Sequence, residues 1–183
     1  MSIPAIFLDR DGVLTKEYGY RVQLDEVKLY PFAKESIKYI HNKGYLAIVV
    51  TNQSGVSRGL FSEEDLVWLH EKIKAETGVD AIYYCPHYKN GIVTKYTFSC
   101  NCRKPKIGMV KKACKDFDIN LGKSWIVGDR ATDIKLGENA GLHTCLVETG
   151  YGTAGLEEPV SPELVKEDLK AFSIWLAAVG KSN

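Results

Sequence analysis

Apolar and polar positions follow two rhythms along the chain. Short runs of apolar and β-branched residues predict buried strands at AIFLD (5–9), YLAIVVTNQSG (45–55), DAIYYC (80–85), SWIVGD (124–129) and LHTCLVET (142–149). Between them lie stretches with helical spacing. FAKESIKYIHNKG (32–44) is apolar at Phe32, Ala33, Ile37 and Ile40, and Gly44 can stop it. SEEDLVWLHEKIKAETG (62–78) starts on a Ser N-cap, carries acids in its first turn and ends before Gly78. KIGMVKKACKDFDI (106–119) and RATDIKLGENAG (130–141) predict two more helices. SPELVKEDLKAFSIWLAAVG (161–180) predicts a C-terminal helix with Pro162 in its first turn. The stretch 150–161, GYGTAGLEEPVS, reads as a connector.

Strands alternating with helices predict parallel β-α-β units: an α/β, Rossmann-like, doubly wound sheet flanked by helices. Ligands then bind beyond the carboxyl ends of the strands. Those ends carry Asp9 and Asp11, Thr51 and Asn52, and Asp129. With 183 residues and 45% hydrophobic residues, residues 1–183 are expected to form one domain. No gap between the elements is long enough for a large cap domain.

Charge is balanced, with 24 Lys and Arg against 23 Asp and Glu. This argues against bulk electrostatic binding to nucleic acid or an anionic membrane. The start, MSIPAIFLDRDG, has no long apolar run and does not read as a signal peptide, and no stretch reaches membrane-spanning length. The expected compartment is the cytoplasm, where structural disulfides are disfavoured. A monomer is the expected state.

That compartment matters for CPHYKNGIVTKYTFSCNC (85–102), which holds three of the five cysteines and one of the four histidines. A disulfide, a metal clamp and a redox cysteine compete for it. The odd cysteine count and reducing compartment weigh against a disulfide framework. The C-x-C spacing differs from the C-x-x-C of redox pairs. Cys85, His87, Cys100 and Cys102 supply three thiolates and one imidazole, a closed tetrahedral set that suits a structural Zn²⁺. The zinc would order a long loop and fix the residues directly after it, Arg103 and Lys104. Cys114 and Cys145 read as packing residues.

At the other strand ends the chemistry is carboxylate. Asp9 and Asp11 in DRDG, with Asp129 in GDRATD, would repel at one sheet rim unless a cation lay between them. Few oxygen ligands, with room for water and phosphate, suit Mg²⁺.

FLDRDG, TNQSG, RKPK and VGDRATD occur in the order of the four signature motifs of the haloacid-dehalogenase-like phosphatases, over roughly residues 3–150. The resemblance implies that Asp9 is the nucleophile and forms an aspartyl-phosphate. Asp11 is then the general acid and base, and Thr51 and Lys104 hold the phosphoryl oxygens. Asp9, the backbone carbonyl of Asp11, and Asp129 would ligate Mg²⁺, with Asp133 orienting the site or capping its helix. The zinc-loop pattern IYYCPH…CNCRKP, with its twelve-residue gap, and EYGY (17–20) resemble the D-glycero-D-manno-heptose 1,7-bisphosphate 7-phosphatases. Histidinol-phosphate phosphatases, the competing resemblance, have a shorter gap. The heptose resemblance implies removal of the C7 phosphate with the C1 phosphate retained for nucleotidyl transfer. Candidate substrate contacts are Glu17, Tyr18, Gly19, Tyr20, Asn52, Gln53, Ser54, Arg103 and Arg130. Arg103 is the candidate for the uncleaved phosphate, because guanidinium pairs bidentately with phosphate oxygens.

Overall fold

The computed structural model describes residues 2–19 and 24–179. The predicted substrate contact Tyr20 lies outside the described residues. Among these residues six strands form one parallel sheet: β1 (Ala5–Leu8), β2 (Leu46–Asn52), β3 (Ala81–Cys85), β4 (Trp125–Gly128), β5 (His143–Val147) and β6 (Leu164–Lys166). Their spatial order is β3-β2-β1-β4-β5-β6. The chain builds outward from β1 in one direction, then returns to its other side, so the strand order reverses between β1 and β4. In register, Leu8 pairs with Val49 on one side and Val127 on the other. The residues that follow these strands therefore emerge side by side, at the switch point where open α/β sheets bind ligands.

Five helices cover the two faces: α1 (Ala33–Asn42), α2 (Glu63–Thr77), α3 (Gly108–Asp116), α4 (Ala131–Ala140) and α5 (Leu169–Val179). One core layer joins Ile6, Leu8 and Val49 to Ile37 and Ile40 of α1 and Phe172 of α5. The other joins Phe7, Ile48 and Ile126 to Met109 and Val110 of α3 and Leu136 of α4. Alternate residues of β1 thus feed opposite layers, as the period-2 geometry of a strand demands. With both faces covered, β1 is fully buried and reads as a continuous apolar run. Helix α2 begins with the predicted Ser62 cap: Ser62 Oγ accepts from Asp65 N at 3.0 Å.

The C-terminal segment departs from the sequence reading. Residues 161–180 do not form one helix from Pro162. Leu164–Lys166 instead pairs in parallel with Cys145–Val147 of β5. The edge of β5 would otherwise present a row of unpaired backbone groups, and Leu164 packs against the core beside it. The helix starts later, where Asp168 Oδ1 accepts from Ala171 N at 2.7 Å.

Candidate active site

The carboxyl ends of β1, β2 and β4 open into a cleft of about 460 Å³. Asp9 follows β1 and is locked to its neighbour strand, its N–H donating to Val127 O at 3.0 Å. Asp129 follows β4 and is fully buried, as is Asp133 in the first turn of α4. The carboxylates of Asp9, Asp129 and Asp133 converge within 4.8 Å. One buried cation meets them: Lys104 Nζ lies 2.9 Å from Asp9 Oδ1 and 2.6 Å from Asp133 Oδ1.

Three carboxylates against one ammonium leave the cluster short of positive charge. Burial pushes Asp9 up to about 6 against the pull of Lys104. Burial, with Asp9 and Asp133 nearby, pushes Asp129 up to about 8. Burial alone would lower the Lys104 pKa, but Asp133 and Asp9 raise it above the ordinary lysine value. Asp129 Oδ2 accepts from Tyr151 N at 2.8 Å, whereas its buried Oδ1 has no hydrogen-bond partner among the described residues. A hard divalent cation with oxygen ligands fits that orphaned oxygen and the surplus negative charge. Gly12 (φ +82°) and Gly150 (φ +73°) wrap Asp129 so closely that a Cβ on either would land on its carboxylate. Only glycine meets both the backbone and the space requirement there.

Asp11 sits at the cleft wall with a full set of donors. Arg10 grips it in parallel, Nε to Oδ1 at 3.0 Å and Nη2 to Oδ2 at 2.9 Å. Gln53 Nε2 donates to Oδ2 at 2.8 Å and Thr15 Oγ1 to Oδ1 at 3.0 Å. Burial opposes the charge, but Arg10 and these donors hold the carboxyl below the usual range. Gln53 Nε2 also donates to Thr51 Oγ1 at 2.9 Å. Asn52 braces the loop that carries Lys104: its Oδ1 accepts from Lys104 N at 2.9 Å and its Nδ2 donates to Lys104 O at 3.3 Å. Asp133 does what the sequence suggested, capping α4 by accepting from Arg130 N at 3.1 Å while its other oxygen holds Lys104.

The other predicted contacts Glu17, Tyr18, Gly19, Ser54, Arg103 and Arg130 all line the same cleft. Several lining residues were missed by the sequence reading. Tyr151 and Glu157 belong to the segment read as a connector, yet they form part of the wall. The Arg130 guanidinium stacks 3.6 Å from the centre of the Tyr151 ring and lies 3.9 Å from Glu17 Oε2. Opposite, Tyr88 takes Arg58 on its ring at 4.2 Å and Arg103 at 5.1 Å. The Gly-Tyr-Gly pattern at 150–152 was the one signal in the sequence for a built turn there.

Beside the cleft, Cys85, His87, Cys100 and Cys102 converge. Sγ to Sγ distances are 3.4 Å for Cys85–Cys100, 3.0 Å for Cys85–Cys102 and 3.2 Å for Cys100–Cys102, and His87 Nδ1 is 3.2 Å from Cys102 Sγ. These spacings are too long for an S–S bond of about 2.05 Å. They are the gathered vertices of a four-ligand S₃N site, which can hold zinc. Hydrogen bonding from Cys85 lowers Cys102 to about 5, so the cluster already favours a thiolate. The sulfur cluster abuts the carboxylate cleft: Arg103 follows Cys102, and its Nη1 donates to His87 O at 3.5 Å.

Residues 101–172 match the family model described as "HAD-hyrolase-like". A D-glycero-beta-D-manno-heptose-1,7-bisphosphate 7-phosphatase of Haemophilus ducreyi is 43% identical over 82% of this chain and 86% of its own. A D-glycero-D-manno-heptose-1,7-bisphosphate 7-phosphatase of Thermosynechococcus vestitus is 37% identical over 96% of both chains. A D-glycero-alpha-D-manno-heptose-1,7-bisphosphate 7-phosphatase of Photorhabdus laumondii is 38% identical over 94% of this chain and 96% of its own. Among solved structures, D,D-heptose 1,7-bisphosphate phosphatase from B. bronchiseptica, complexed with magnesium and phosphate, superposes with a TM-score of 0.84 at 34% identity, covering 97% of this chain and 99% of that one. With the switch-point carboxylates, the buried lysine and the sulfur cluster in place, the chain belongs to the D-glycero-D-manno-heptose-1,7-bisphosphate 7-phosphatase family of haloacid-dehalogenase-like hydrolases.

Proposed function

We propose that this chain, acting as a single domain over residues 1–183, removes the C7 phosphate of D-glycero-D-manno-heptose 1,7-bisphosphate and leaves the C1 phosphate in place. The observation that carries the reading is the convergence of Asp9, Asp129 and Asp133 at the switch point, with buried Lys104 paired to Asp9 and Asp133, in a chain whose relatives bear that enzyme's name. Asp9 attacks the C7 phosphorus, and the bond from phosphorus to the bridging oxygen breaks. In the free site Arg10, Gln53 and Thr15 hold Asp11 ionised, so its acid role requires that it take up a proton as the dianionic substrate enters; Asp11 then gives that proton to the departing heptose oxygen. Acting next as a base, Asp11 takes a proton from water, whose oxygen attacks the aspartyl-phosphate, releases phosphate and restores Asp9. Thr51 and Lys104 hold the phosphoryl oxygens through both steps. Asp9, the Asp11 carbonyl and Asp129 would hold Mg²⁺, which would supply positive charge against the phosphoryl group.

Asn52, Gln53 and Ser54 support the phosphoryl pocket, and Glu17, Tyr18, Gly19 and Arg130 contact the sugar. Arg103 faces the phosphate that stays. Cys85, His87, Cys100 and Cys102 would hold Zn²⁺, which would fix the loop that carries Arg103 and Lys104. A cytoplasmic monomer agrees with this reading: cysteine ligands stay reduced there, and no helix among the described residues is long and apolar enough to cross a membrane. Phosphorus NMR of the product tests the regiochemistry. The C7 resonance disappears and the anomeric C1 phosphate persists; loss of the C1 phosphate first would overturn the assignment.

A further inference from the structure

Arg10 does more than neutralise its neighbour. Two of its nitrogens hold both oxygens of Asp11, and the third points away from the cleft, with Nη1 at 3.1 Å from His70 Nε2 on α2. Arg10 and His70 are each only 4% exposed. A guanidinium can only donate, so His70 Nε2 accepts and its proton sits on Nδ1. The ring is therefore neutral, and burial with the facing Arg10 cation drives its pKa down to about 3. Tyr84 of β3 packs tilted on the ring at 5.2 Å, and its hydroxyl donates to Glu63 Oε1 at 3.1 Å. The imidazole is thus fixed by a helix on one side and by the sheet on the other.

We propose that His70, acting through Arg10, is a positioning residue for Asp11. This rests on the reading of Asp11 as the acid and base. An arginine fork bound at one end only can pivot about its stem and carry the carboxylate with it. Anchoring Nη1 in the packed interior fixes the plane of the guanidinium, and the bidentate pair passes that plane to Asp11. The same carboxylate must meet the leaving oxygen in one step and the water in the next, so its direction matters twice. A displacement of about 1 Å in such a group costs on the order of a hundredfold in rate.

Two polar variants separate this role from a packing role. In His70→Gln the amide oxygen reaches the place of Nε2 and still accepts from Arg10. In His70→Asn the oxygen lies near the place of Nδ1, and Arg10 loses its anchor. The expected result is a kcat within about threefold of wild type for His70→Gln and a fall of about ten- to hundredfold for His70→Asn, at unchanged KM. Equal kcat in the two variants, whether both high or both low, would overturn the proposal. A fall in His70→Asn that appears in KM rather than kcat would do so as well. If His70→Asn melts below the assay temperature, Arg10→Lys replaces it: that variant keeps the charge but cannot hold Asp11 and His70 together, and wild-type kcat there would overturn the proposal. Asp11→Asn is the control for the underlying reading. If it keeps full activity, the acid and base assignment falls; if it is dead while His70→Asn is unimpaired, only the positioning role falls.

Discussion

Two clusters of ligand side chains lie next to each other in this molecule, and they are held in opposite ways. The carboxylates of Asp9 and Asp129 sit on the ends of two hydrogen-bonded central strands, and Asp133 sits in the first turn of the helix that follows. Their placement is a property of the sheet. The sulfur atoms of Cys100 and Cys102 arrive at the end of a long loop, and of the four ligand candidates only Cys85 belongs to a strand. There the ligands organise the chain, where at the carboxylates the chain organises the ligands. The difference separates two ways of building a rim: the carboxylates are placed by the sheet, and Arg103 and Lys104 follow directly on a loop whose Cys and His side chains gather where a metal could hold them.

The largest expected effect breaks the first cluster alone. Asp9→Asn should reduce kcat by at least about 10⁴-fold, while zinc content and melting temperature stay near wild type. Retention of near-normal turnover would contradict the nucleophile assignment. Breaking the second cluster should spread to the first. Cys100→Ser should lose zinc, measured by metal analysis, and lower kcat/KM at least about tenfold as the loop bearing Lys104 loosens. Unchanged zinc content would remove Cys100 from the ligand set.

A third measurement probes the packing behind the carboxylate rim through pH. The His70 pKa falls from its ordinary value to about 3 on folding, so between pH 6.5 and 3 the unfolded chain binds a proton that the folded chain does not. Stability from this group is full above pH 6.5 and declines as pH falls toward 3. His70→Gln should flatten the acid limb of the stability curve by up to about 1.4 kcal/mol per pH unit in that window. Identical acid limbs in denaturant titrations would show that His70 is not held neutral. The smallest effect is expected at the missed wall residue. Tyr151→Ala removes the ring that seats Arg130 and should raise KM about two- to fivefold with little change in kcat; an unchanged KM would place Tyr151 outside substrate binding.

The sequence was most legible where one physical rule acted alone. The β1 and β2 runs, the Ser62 cap and the C-x-H and C-x-C pairs each carry a local signal, and each appears where that signal puts it. The C-terminal segment failed because β6 owes its existence to the open edge of β5; nothing within residues 161–168 announces that demand. Tyr88 and Tyr151 were missed for a similar reason, and the sequence left open whether Arg58 in GVSRG faces the site. Their neighbours in the cleft come from distant segments, so their meeting is set by the crossing of loops rather than by any spacing along the chain. His70 carries no local signal along the chain, and only its contact with Arg10 gives it a part in the site.

Phosphate release from the separate α and β anomers of D-glycero-D-manno-heptose 1,7-bisphosphate, with Mg²⁺ present and with histidinol phosphate and fructose 1,6-bisphosphate alongside, tests the central claim most directly. The account predicts a kcat/KM for one heptose anomer well above those for the other phosphate esters. Equal weak rates on all of them, or the highest rate on histidinol phosphate, would contradict it.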